Sequence, residues 1–373
     1  MSELRIDFDA AFPTFVDQTG VSCAANSPWA PVIVTKEQID SEVDRLAALP
    51  RPANGRRSSL IVHSAAITPA LAPGIQVALS VLNPGERTTP FRHNATEVNF
   101  CIRGSGRSQW ANRSVAFGQF DVWNTPSYST YWRENSGSDL QVCLTYSNAS
   151  LLRYMQVYVA EENPGITKIA EDERNLIRGN GQSSPYGVFE IGSDGAMLMP
   201  YETVIDPPAI ESKGLFWPWE TVHAELKRLE ALGSDYAGRR LYLLYNPMTG
   251  RTNGTTPNFF ATITIRPPNI VDRPHRHVSA AINYYFRGRG RSSVAGNLYE
   301  WKAGDLMLSA PGWTVHNHAS YEETVYELTI QDQPLNIAME SLLWQENMKE
   351  PPALLGVKSG VDDNFARLLR TPS

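Results

Sequence analysis

The sequence predicts a mainly β protein in which two similar small barrels follow each other along the chain. The 26 glycines and 26 prolines, together with 42% hydrophobic residues, suit short strands joined by tight turns. Strand-rich blocks at 56–148 and 240–331 each contain one copy of a repeated segment. The first copy is PFRHNATEVNFCIRGSG at 90–106, and the second is PHRHVSAAINYYFRGRG at 274–290. A period this long indicates a duplicated domain rather than a solenoid.

The repeat keeps its register over a long stretch. At an offset of 184 residues His93 aligns with His277, and the same offset aligns Arg92 with Arg276, Asn99 with Asn283, Arg103 with Arg287 and both glycines of each G-x-G. Downstream, TPSYSTYW at 125–132 lies against APGWTVHN at 310–317. Each copy is therefore expected to form one barrel.

The remaining segments are expected to frame the two barrels. Thr35 and Gln38 form a capping box for a helix over 35–49 that Pro50 ends. A second helix is predicted over 218–232, with Gly233 just past its end. Further helices are predicted over 150–161 and from Pro334 to about Met348, and a loop over 178–187. We expect a helical and extended segment at 1–55, a first barrel at 56–165, a linker with a helix at 166–237, a second barrel at 238–350 and a tail at 351–373.

Composition excludes several classes of function. A net charge of −6 argues against a nucleic-acid partner, whose phosphates require a basic surface. The chain shows neither a signal-peptide pattern nor an apolar run of membrane-spanning length. Three cysteines without CxxC spacing favour a reducing compartment, so the cytoplasm is the expected location.

Histidines carry the strongest chemical signal in the sequence. His275, His277, His316 and His318 form two pairs with i, i+2 spacing, and residues two apart on a strand share one face. We expect His275 and His277 to point into the second barrel, with His316 beside them from a later strand. Three imidazoles at this spacing predict a transition-metal site. His318 is expected to be either a second residue of the site or a residue at its rim, whereas His63 and His223 are expected to be packing residues.

These motifs fall in the order found in cupin barrels. The H-x-H is followed by a G-x-G turn, Gly304–Asp305, Pro311–Gly312 and His316. Many cupins add a carboxylate ligand shortly after H-x-H, but this chain has Ala281 and Ile282 there. The predicted ligands are therefore three neutral imidazoles, which leave coordination positions open for a chelating anion and O₂. The fold predicted is a bicupin, with two double-stranded β-helix (jelly-roll) barrels and a few helices.

The first barrel is expected to have lost its metal site. Phe91 and Tyr131 occupy two of the three ligand positions, and only His93 remains. Glu97 stands where other cupins place a carboxylate ligand. We therefore expect this barrel to have a structural role, with a weak metal on His93 and Glu97 as a remote alternative.

The second barrel resembles the gentisate 1,2-dioxygenase family of bicupins, which includes salicylate, 5-nitrosalicylate and 1-hydroxy-2-naphthoate ring-cleaving enzymes. The resemblance is carried by 238–334, with GRRLYLLYNP, H-R-H, GWTVHNHA and IQDQPL. It implies one iron(II) per chain on His275, His277 and His316. The chain departs from the family at Asn283 and Thr264, where members often have Arg and Gln, and this departure favours a substituted salicylate over gentisate.

The resemblance also implies roles for other residues. Arg239 or Arg240 matches an arginine that can bind the substrate carboxylate, and His318 matches a histidine near the substrate. Asp332 matches a late acidic residue of the family, and the resemblance implies that His318, Arg239, Arg240 and Asp332 are the catalytic residues. Further candidates for the substrate pocket are polar or aromatic: Thr264, Asn283, Phe260, Tyr285 and Trp313.

The predicted function is iron(II)- and O₂-dependent, extradiol-type 1,2-cleavage of a salicylate-type acid between the carboxyl- and hydroxyl-bearing carbons, with both oxygen atoms incorporated. Its partners would be a small aromatic acid and O₂, in a homo-oligomer, either a dimer or a tetramer. Two alternatives remain open. One is a zinc or manganese cupin acting as a hydrolase, isomerase or lyase on a small anion. The other is a bicupin that binds a ligand without catalysis.

Overall fold

The structure is a computed structural model that describes residue 15 and residues 17–22, 27–110, 113–165, 187–191, 193, 195–201, 210–233 and 240–357. Its described helices are α1 (Lys36–Ala48), α2 (Ala149–Tyr154), α3 (Trp219–Ala231) and α4 (Gln333–Ala338), with a 3-10 segment at Pro247–Thr252. Strands of the first half are β1 (Val32–Val34), β2 (Arg57–Ile61), β3 (Gln76–Leu82), β4 (Phe91–His93), β5 (Glu97–Arg103), β6 (Gly106–Trp110), β7 (Arg113–Phe117), β8 (Val122–Thr125), β9 (Tyr131–Glu134), β10 (Gln141–Ser147), β11 (Ala160–Glu162), β12 (Phe189–Glu190), β13 (Met197–Leu198) and β14 (Phe216–Trp217).

Strands of the second half are β15 (Leu241–Leu243), β16 (Phe260–Arg266), β17 (Arg276–His277), β18 (Ala280–Arg287), β19 (Arg289–Val294), β20 (Asn297–Lys302), β21 (Leu306–Pro311), β22 (His316–Ser320), β23 (Val325–Gln331), β24 (Leu343–Gln345) and β25 (Ala353–Leu354). None of the described helices is both long and apolar enough to cross a membrane.

Each half contains one six-stranded sheet together with smaller, separate sheets. The larger sheet of the first half has the order β14-β8-β5-β10-β3-β2, and that of the second has β1-β21-β18-β23-β16-β15. The smaller sheets are β11-β4-β9-β6-β7 in the first half, and β20-β19-β22 with β17-β24-β25 in the second. The predicted mainly β fold with two repeated halves is confirmed.

Strand register confirms the repeat at single-residue level. Ser108 pairs with Arg133 in the first half, and Ser292 pairs with His318 in the second. Trp110 likewise pairs with Tyr131, and Val294 with His316. Tyr131 and Arg133 therefore occupy the positions of His316 and His318.

The repeated G-x-G turn has a conformational cause. Gly104 and Gly288 have φ angles of 78° and 77°, a region that side chains with a Cβ rarely adopt. A Cβ at Gly104 would lie 2.2 Å from the backbone oxygen of Leu140, and one at Gly288 would lie 2.6 Å from that of Thr324. Both turns therefore require glycine.

Edge strands are exchanged between the halves. Strand β1, which precedes the first barrel, pairs with β21 of the second, whereas β14, which precedes the second barrel, pairs with β8 of the first. Phe100 and Tyr284 occupy equivalent repeat positions and contact each other at 5.8 Å between ring centroids. The two halves therefore share one apolar core and are held together by exchanged strands.

Helix predictions were confirmed where the end signals are strong. Helix α1 begins after Thr35, whose capping box with Gln38 is present, and α3 occupies 219–231. The helix predicted over 150–161 was wrong beyond Tyr154: Gln156 has a positive φ of 60°, and 160–162 forms β11 paired to β4. The loop predicted over 178–187 lies almost entirely outside the described residues.

The last predicted helix was also too long. Helix α4 ends at Ala338, and Leu343–Gln345 instead forms β24, paired with β17. Pairing to a strand of the barrel outweighs the helical tendency of this segment, because sequence propensity is a weak preference.

Candidate metal centre and active site

Three histidines converge inside the second barrel. His277 lies on β17 and His316 begins β22, while His275 is joined to His316 by two backbone hydrogen bonds of 3.1 and 2.9 Å. Their exposed fractions are 6% for His275, 0% for His277 and 3% for His316. One nitrogen from each ring lies within 4.8 Å of the others, which is the spacing of ligands around one ion.

Backbone carbonyls orient each of these rings. The Nδ1 atom of His275 lies 3.1 Å from the carbonyl oxygen of Arg273, and that of His316 lies 2.9 Å from that of Thr314. His277 Nδ1 lies 2.8 Å from the carbonyl oxygen of Ser279. A carbonyl accepts only from a protonated nitrogen, so each Nδ1 carries the proton and each Nε2 keeps its lone pair.

This donor set fits a divalent transition metal. Neutral imidazole nitrogens are ligands for iron, zinc and copper, and three of them leave positions open for other molecules. Within the described part of the chain, the group that could hold an ion contains histidines alone. A bound ion would therefore keep its full positive charge toward an anionic ligand.

Trp344 supports two of the ligands. Its ring stacks on His277 at 4.9 Å and on His275 at 5.6 Å, with interplanar angles of 21° and 25°. The pairing of β24 with β17 brings it there. Sequence reasoning missed Trp344 because no spacing pattern links it to the histidines.

A cavity of about 1090 Å³ opens beside the histidines. Its lining includes His275 and His316 from the histidine cluster, and five of the other residues predicted for the site: Arg240, Phe260, Thr264, Asn283 and His318. A cavity of this size accommodates a ligand with an aromatic ring. Arg239 lies outside the described residues.

His318 is held by a polar chain behind the cavity. Its Nδ1 lies 2.7 Å from the Ser292 hydroxyl, which accepts a hydrogen bond of 2.9 Å from the indole nitrogen of Trp301. Because the indole is only a donor, the serine hydroxyl can direct its own proton to His318 Nδ1, which leaves the ring proton on Nε2. The His318 ring lies 5.8 Å from the His316 ring.

Three predicted residues lie away from the cavity lining. Tyr285 is on the same face of β18 as Asn283, but it is fully buried and stacks on Trp301 at 3.7 Å. Trp313 packs under the guanidinium of Arg276 at 4.3 Å. Tyr285 thus supports the barrel end, and Trp313 packs beside the ligand strand.

Asp332 is the third of these residues. Its Oδ1 accepts a hydrogen bond of 2.8 Å from the backbone N–H of Ala280, which fixes the start of β18. Burial raises the pKa of this carboxyl to about 7, although the backbone hydrogen bonds to it act in the opposite direction. Its contacts indicate a structural role beside the site.

A buried ion pair lines the cavity and was not predicted. Arg266 donates to Glu327 at 2.9 Å and to Asp272 at 3.0 Å. Burial alone would lower the pKa of Arg266, but these two carboxylates raise it. The charge of Arg266 is therefore already balanced. In contrast, Arg240 donates from Nη2 to the carbonyl oxygen of Gly233, and its buried Nε has no hydrogen-bond partner among the described residues.

The first barrel shows how the same positions look without the metal ligands. Phe91 and Tyr131 replace two histidines, and their rings lie 6.1 Å apart. The remaining His93 is joined through Nε2 to Glu97 at 3.0 Å and to the Tyr131 hydroxyl at 3.3 Å. His63 and His223, expected as packing residues, stack on Trp29 and Trp219.

The fold and the site define a bicupin with a cluster of three histidines in its second barrel that could hold a metal ion. No family model matches the chain. It is 28% identical over 135 residues to a 5-nitrosalicylic acid 1,2-dioxygenase from Bradyrhizobium sp, which covers 35% of this chain and 65% of that relative. It is 24% identical over 318 residues to a gentisate 1,2-dioxygenase from Haloferax sp, covering 82% of this chain and 83% of the relative.

The fold is similar to that of salicylate 1,2-dioxygenase from Pseudaminobacter salicylatoxidans. The TM-score is 0.69 at 16% identity, over 86% of this chain and 89% of that one. A variant of that enzyme in complex with gentisate gives the same TM-score at 15% identity, over 87% and 88% of the two chains. The predicted resemblance to the gentisate 1,2-dioxygenase family and the predicted bicupin fold are both confirmed.

Proposed function

We propose that the protein is an iron(II)- and O₂-dependent dioxygenase that opens the ring of a salicylate-type aromatic hydroxy acid between its carboxyl- and hydroxyl-bearing carbons. We class the cleavage as extradiol-type, with both oxygen atoms incorporated and one iron per chain. The observation that carries the proposal is the three-histidine cluster, free of carboxylate ligands, beside a cavity large enough for an aromatic ring. The similarity to dioxygenases of gentisate and 5-nitrosalicylate supports the substrate class.

His275, His277 and His316 would hold the iron through Nε2. When bound, iron(II) supplies a redox-active centre with open positions for the chelating acid and O₂. The protein provides the neutral ligands, and the carbonyl contacts of each Nδ1 keep the rings in their tautomer and orientation.

Arg240 is the best candidate for the substrate carboxylate. It lines the cavity, and its buried Nε has no hydrogen-bond partner among the described residues, whereas the charge of Arg266 is neutralised by Glu327 and Asp272. A guanidinium binds a carboxylate through paired hydrogen bonds. Arg240 would thus orient the acid without contributing to metal binding.

His318 would act on protons at the reacting ring. Ser292 orients the ring through its Nδ1, and the ring would donate a proton to a developing oxyanion. Thr264 and Asn283 line the same cavity, and Asn283 donates to Thr329 at 2.8 Å. These polar groups would discriminate among ring substituents, and their pattern favours a substituted salicylate.

We also propose a homo-oligomer located in the cytoplasm. On the hairpin β12–β13 and its flanks, Ile191 and Met197 are 58% and 57% exposed, and apolar side chains this open suit contact with a second copy. Cys101 and Cys143 face each other across neighbouring strands as free thiols, which suits a reducing compartment.

The test is anaerobic reconstitution with iron(II), zinc or manganese, followed by oxygen uptake with salicylate, gentisate, 5-nitrosalicylate, 5-chlorosalicylate and 1-hydroxy-2-naphthoate. We expect uptake with iron only, matched to loss of one of these acids. Tight binding of one metal per chain without uptake for any of them would overturn the proposal and favour hydrolase, isomerase or lyase chemistry.

A further inference from the structure

The first barrel retains a cavity at the position equivalent to the metal centre. Its volume is about 260 Å³, and it is lined by His93, Glu97, Tyr131 and Arg133 together with the aromatic rings of Phe91 and Tyr158. Cores are normally packed without voids of this size. The first barrel therefore keeps an unfilled space where the second barrel has its three histidines.

Buried polar atoms in this cavity lack partners within the described chain. Glu97 is 5% exposed, and its Oε1 accepts hydrogen bonds from the Tyr131 hydroxyl at 3.0 Å and from His93. Its Oε2 has no hydrogen-bond partner among the described residues. Although burial raises the pKa of Glu97, its bond to His93 and the nearby charges lower it to about 2, so the group is a carboxylate. It is an acceptor that needs a donor.

Arg133 provides the opposite charge. It is 8% exposed, and its Nη2 donates to Thr145 at 3.2 Å and to Asn99. Its Nη2 lies 3.9 Å from Glu97 Oε2, whereas its Nε has no partner among the described residues. An acceptor without a donor and a donor without an acceptor thus belong to two neighbouring residues that both line the cavity.

Each of the three arginines at the cavity wall has a carboxylate beside it. Arg56 and Arg57 are paired to Glu162 and Glu86, and Arg133 lies 3.9 Å from Glu97. The charges are therefore balanced, and the atoms without hydrogen-bond partners, rather than a net charge, define the ligand. A ligand that satisfies the free atoms needs an acceptor of negative charge for Arg133 and an adjacent donor for Glu97.

We propose that the first barrel is a second, metal-independent binding site for a small organic acid that carries a hydroxyl group next to its carboxylate. The carboxylate binds Arg133, and the hydroxyl donates to Glu97. The rings of Phe91, Tyr131 and Tyr158 favour an aromatic acid over an aliphatic one. The site does not depend on the proposed reaction, since it needs neither metal nor O₂.

Matched cavity-filling variants test the proposal, because Ala78 and Thr262 occupy equivalent repeat positions and line the first and second cavities respectively. The full-length chain, freed of metal with EDTA, is titrated calorimetrically with salicylate, benzoate and lactate. We expect salicylate binding to survive Thr262→Leu and to weaken at least about tenfold in Ala78→Leu, since a bulky side chain excludes the ligand. Ala78→Leu should leave oxygen uptake by the iron-loaded chain unchanged.

Two polar variants test the assigned contacts. Arg133→Gln should weaken salicylate and benzoate alike by about 10- to 100-fold, as expected for loss of a hydrogen bond to a charged group. Glu97→Gln should reduce the preference for salicylate over benzoate. Thermal unfolding of each variant establishes that it is folded. Salicylate affinity that is unchanged in folded Ala78→Leu, or absent in Thr262→Leu, would overturn the proposal and leave a cavity that holds water only.

Discussion

The two barrels share their strand pairing and differ in what fills the shared positions. In the second barrel His275, His277 and His316 meet around one point, whereas in the first Phe91 and Tyr131 flank the single His93. The same backbone frame therefore supports either a metal centre or a hydrogen-bonded network with a carboxylate. The strand pairing is therefore independent of the side chains at the site, because strand register sets the positions of the side chains whatever their type.

A second contrast lies in the neighbouring strands. Arg266 and Glu327 form a buried ion pair in the second barrel, and the equivalent positions of the first hold Leu82 and Cys143. Both Leu82 and Cys143 are buried and apolar. The duplicated frame thus does not require the ion pair for folding, and its charges line the large cavity of the second barrel.

The largest expected effect is on metal binding. His316→Ala leaves two ligands, and we expect the metal content to fall from about one ion per chain to near zero, because such sites need three protein ligands. Oxygen uptake should be lost with it. The control His63→Gln, at a histidine stacked on Trp29, should keep both. Metal analysis by mass spectrometry provides the measurement, and full metal content in His316→Ala would remove the basis for the assigned site.

The ion pair tests the second contrast. Arg266→Leu leaves Glu327 buried without its partner, and we expect it to lower the unfolding free energy by about 3–5 kcal/mol. The double variant Arg266→Leu/Glu327→Cys copies the first barrel and should recover most of this loss. Denaturant unfolding measures both. Equal destabilisation of the single and double variants would show that the two barrels do not tolerate each other's packing.

A smaller effect is expected at His318, whose equivalent in the first barrel is Arg133. His318→Gln should lower kcat by about 10²-fold with metal content unchanged, since it removes a proton donor but no ligand. Ser292→Ala should produce a smaller loss, because it only frees the ring that Ser292 orients. Steady-state kinetics beside metal analysis separates the two roles. Unchanged kcat in His318→Gln would assign this residue to packing.

The last contrast between the barrels is a pair of opposite pH dependences. Folding raises the pKa of Asp332 from 3.8 to about 7. Between these two pH values the Asp332 carboxyl is therefore protonated in the folded state and ionised in the unfolded state. The unfolding free energy should therefore fall as pH rises through that window, by up to about 1.4 kcal/mol per pH unit, and Asp332→Asn should remove this slope. Glu97 has its pKa lowered from 4.5 to about 2, so its contribution is present above 4.5 and is lost as pH falls.

Denaturant titrations from pH 3 to pH 8 measure both slopes. Glu97→Gln should flatten only the acid limb, and Asp332→Asn should flatten only the limb between about 4 and 7. A common response of both variants would show that the two carboxyls titrate as one coupled system rather than as features of separate barrels.

Local patterns in the sequence determined much of the fold and of the metal centre. The repeat predicted two barrels, the capping box predicted α1, and the i, i+2 spacing predicted that His275 and His277 share a face. These features depend on strand alternation and on end signals within a few residues of one another, so they can be read without knowing which strands are neighbours.

Contacts between distant segments were decided only by the tertiary structure. Pairing of β24 with β17 turned a segment predicted as helix into a strand and placed Trp344 on the ligands. Strand β1 pairs with β21 of the second barrel, although it precedes the first in the sequence. Tyr285, which was predicted to line the substrate pocket, stacks on Trp301 instead. The sequence determined the faces of the strands and which histidines come together, because both follow from local geometry. The structure decided which strands meet and which cavities remain, because those outcomes depend on packing across the whole chain.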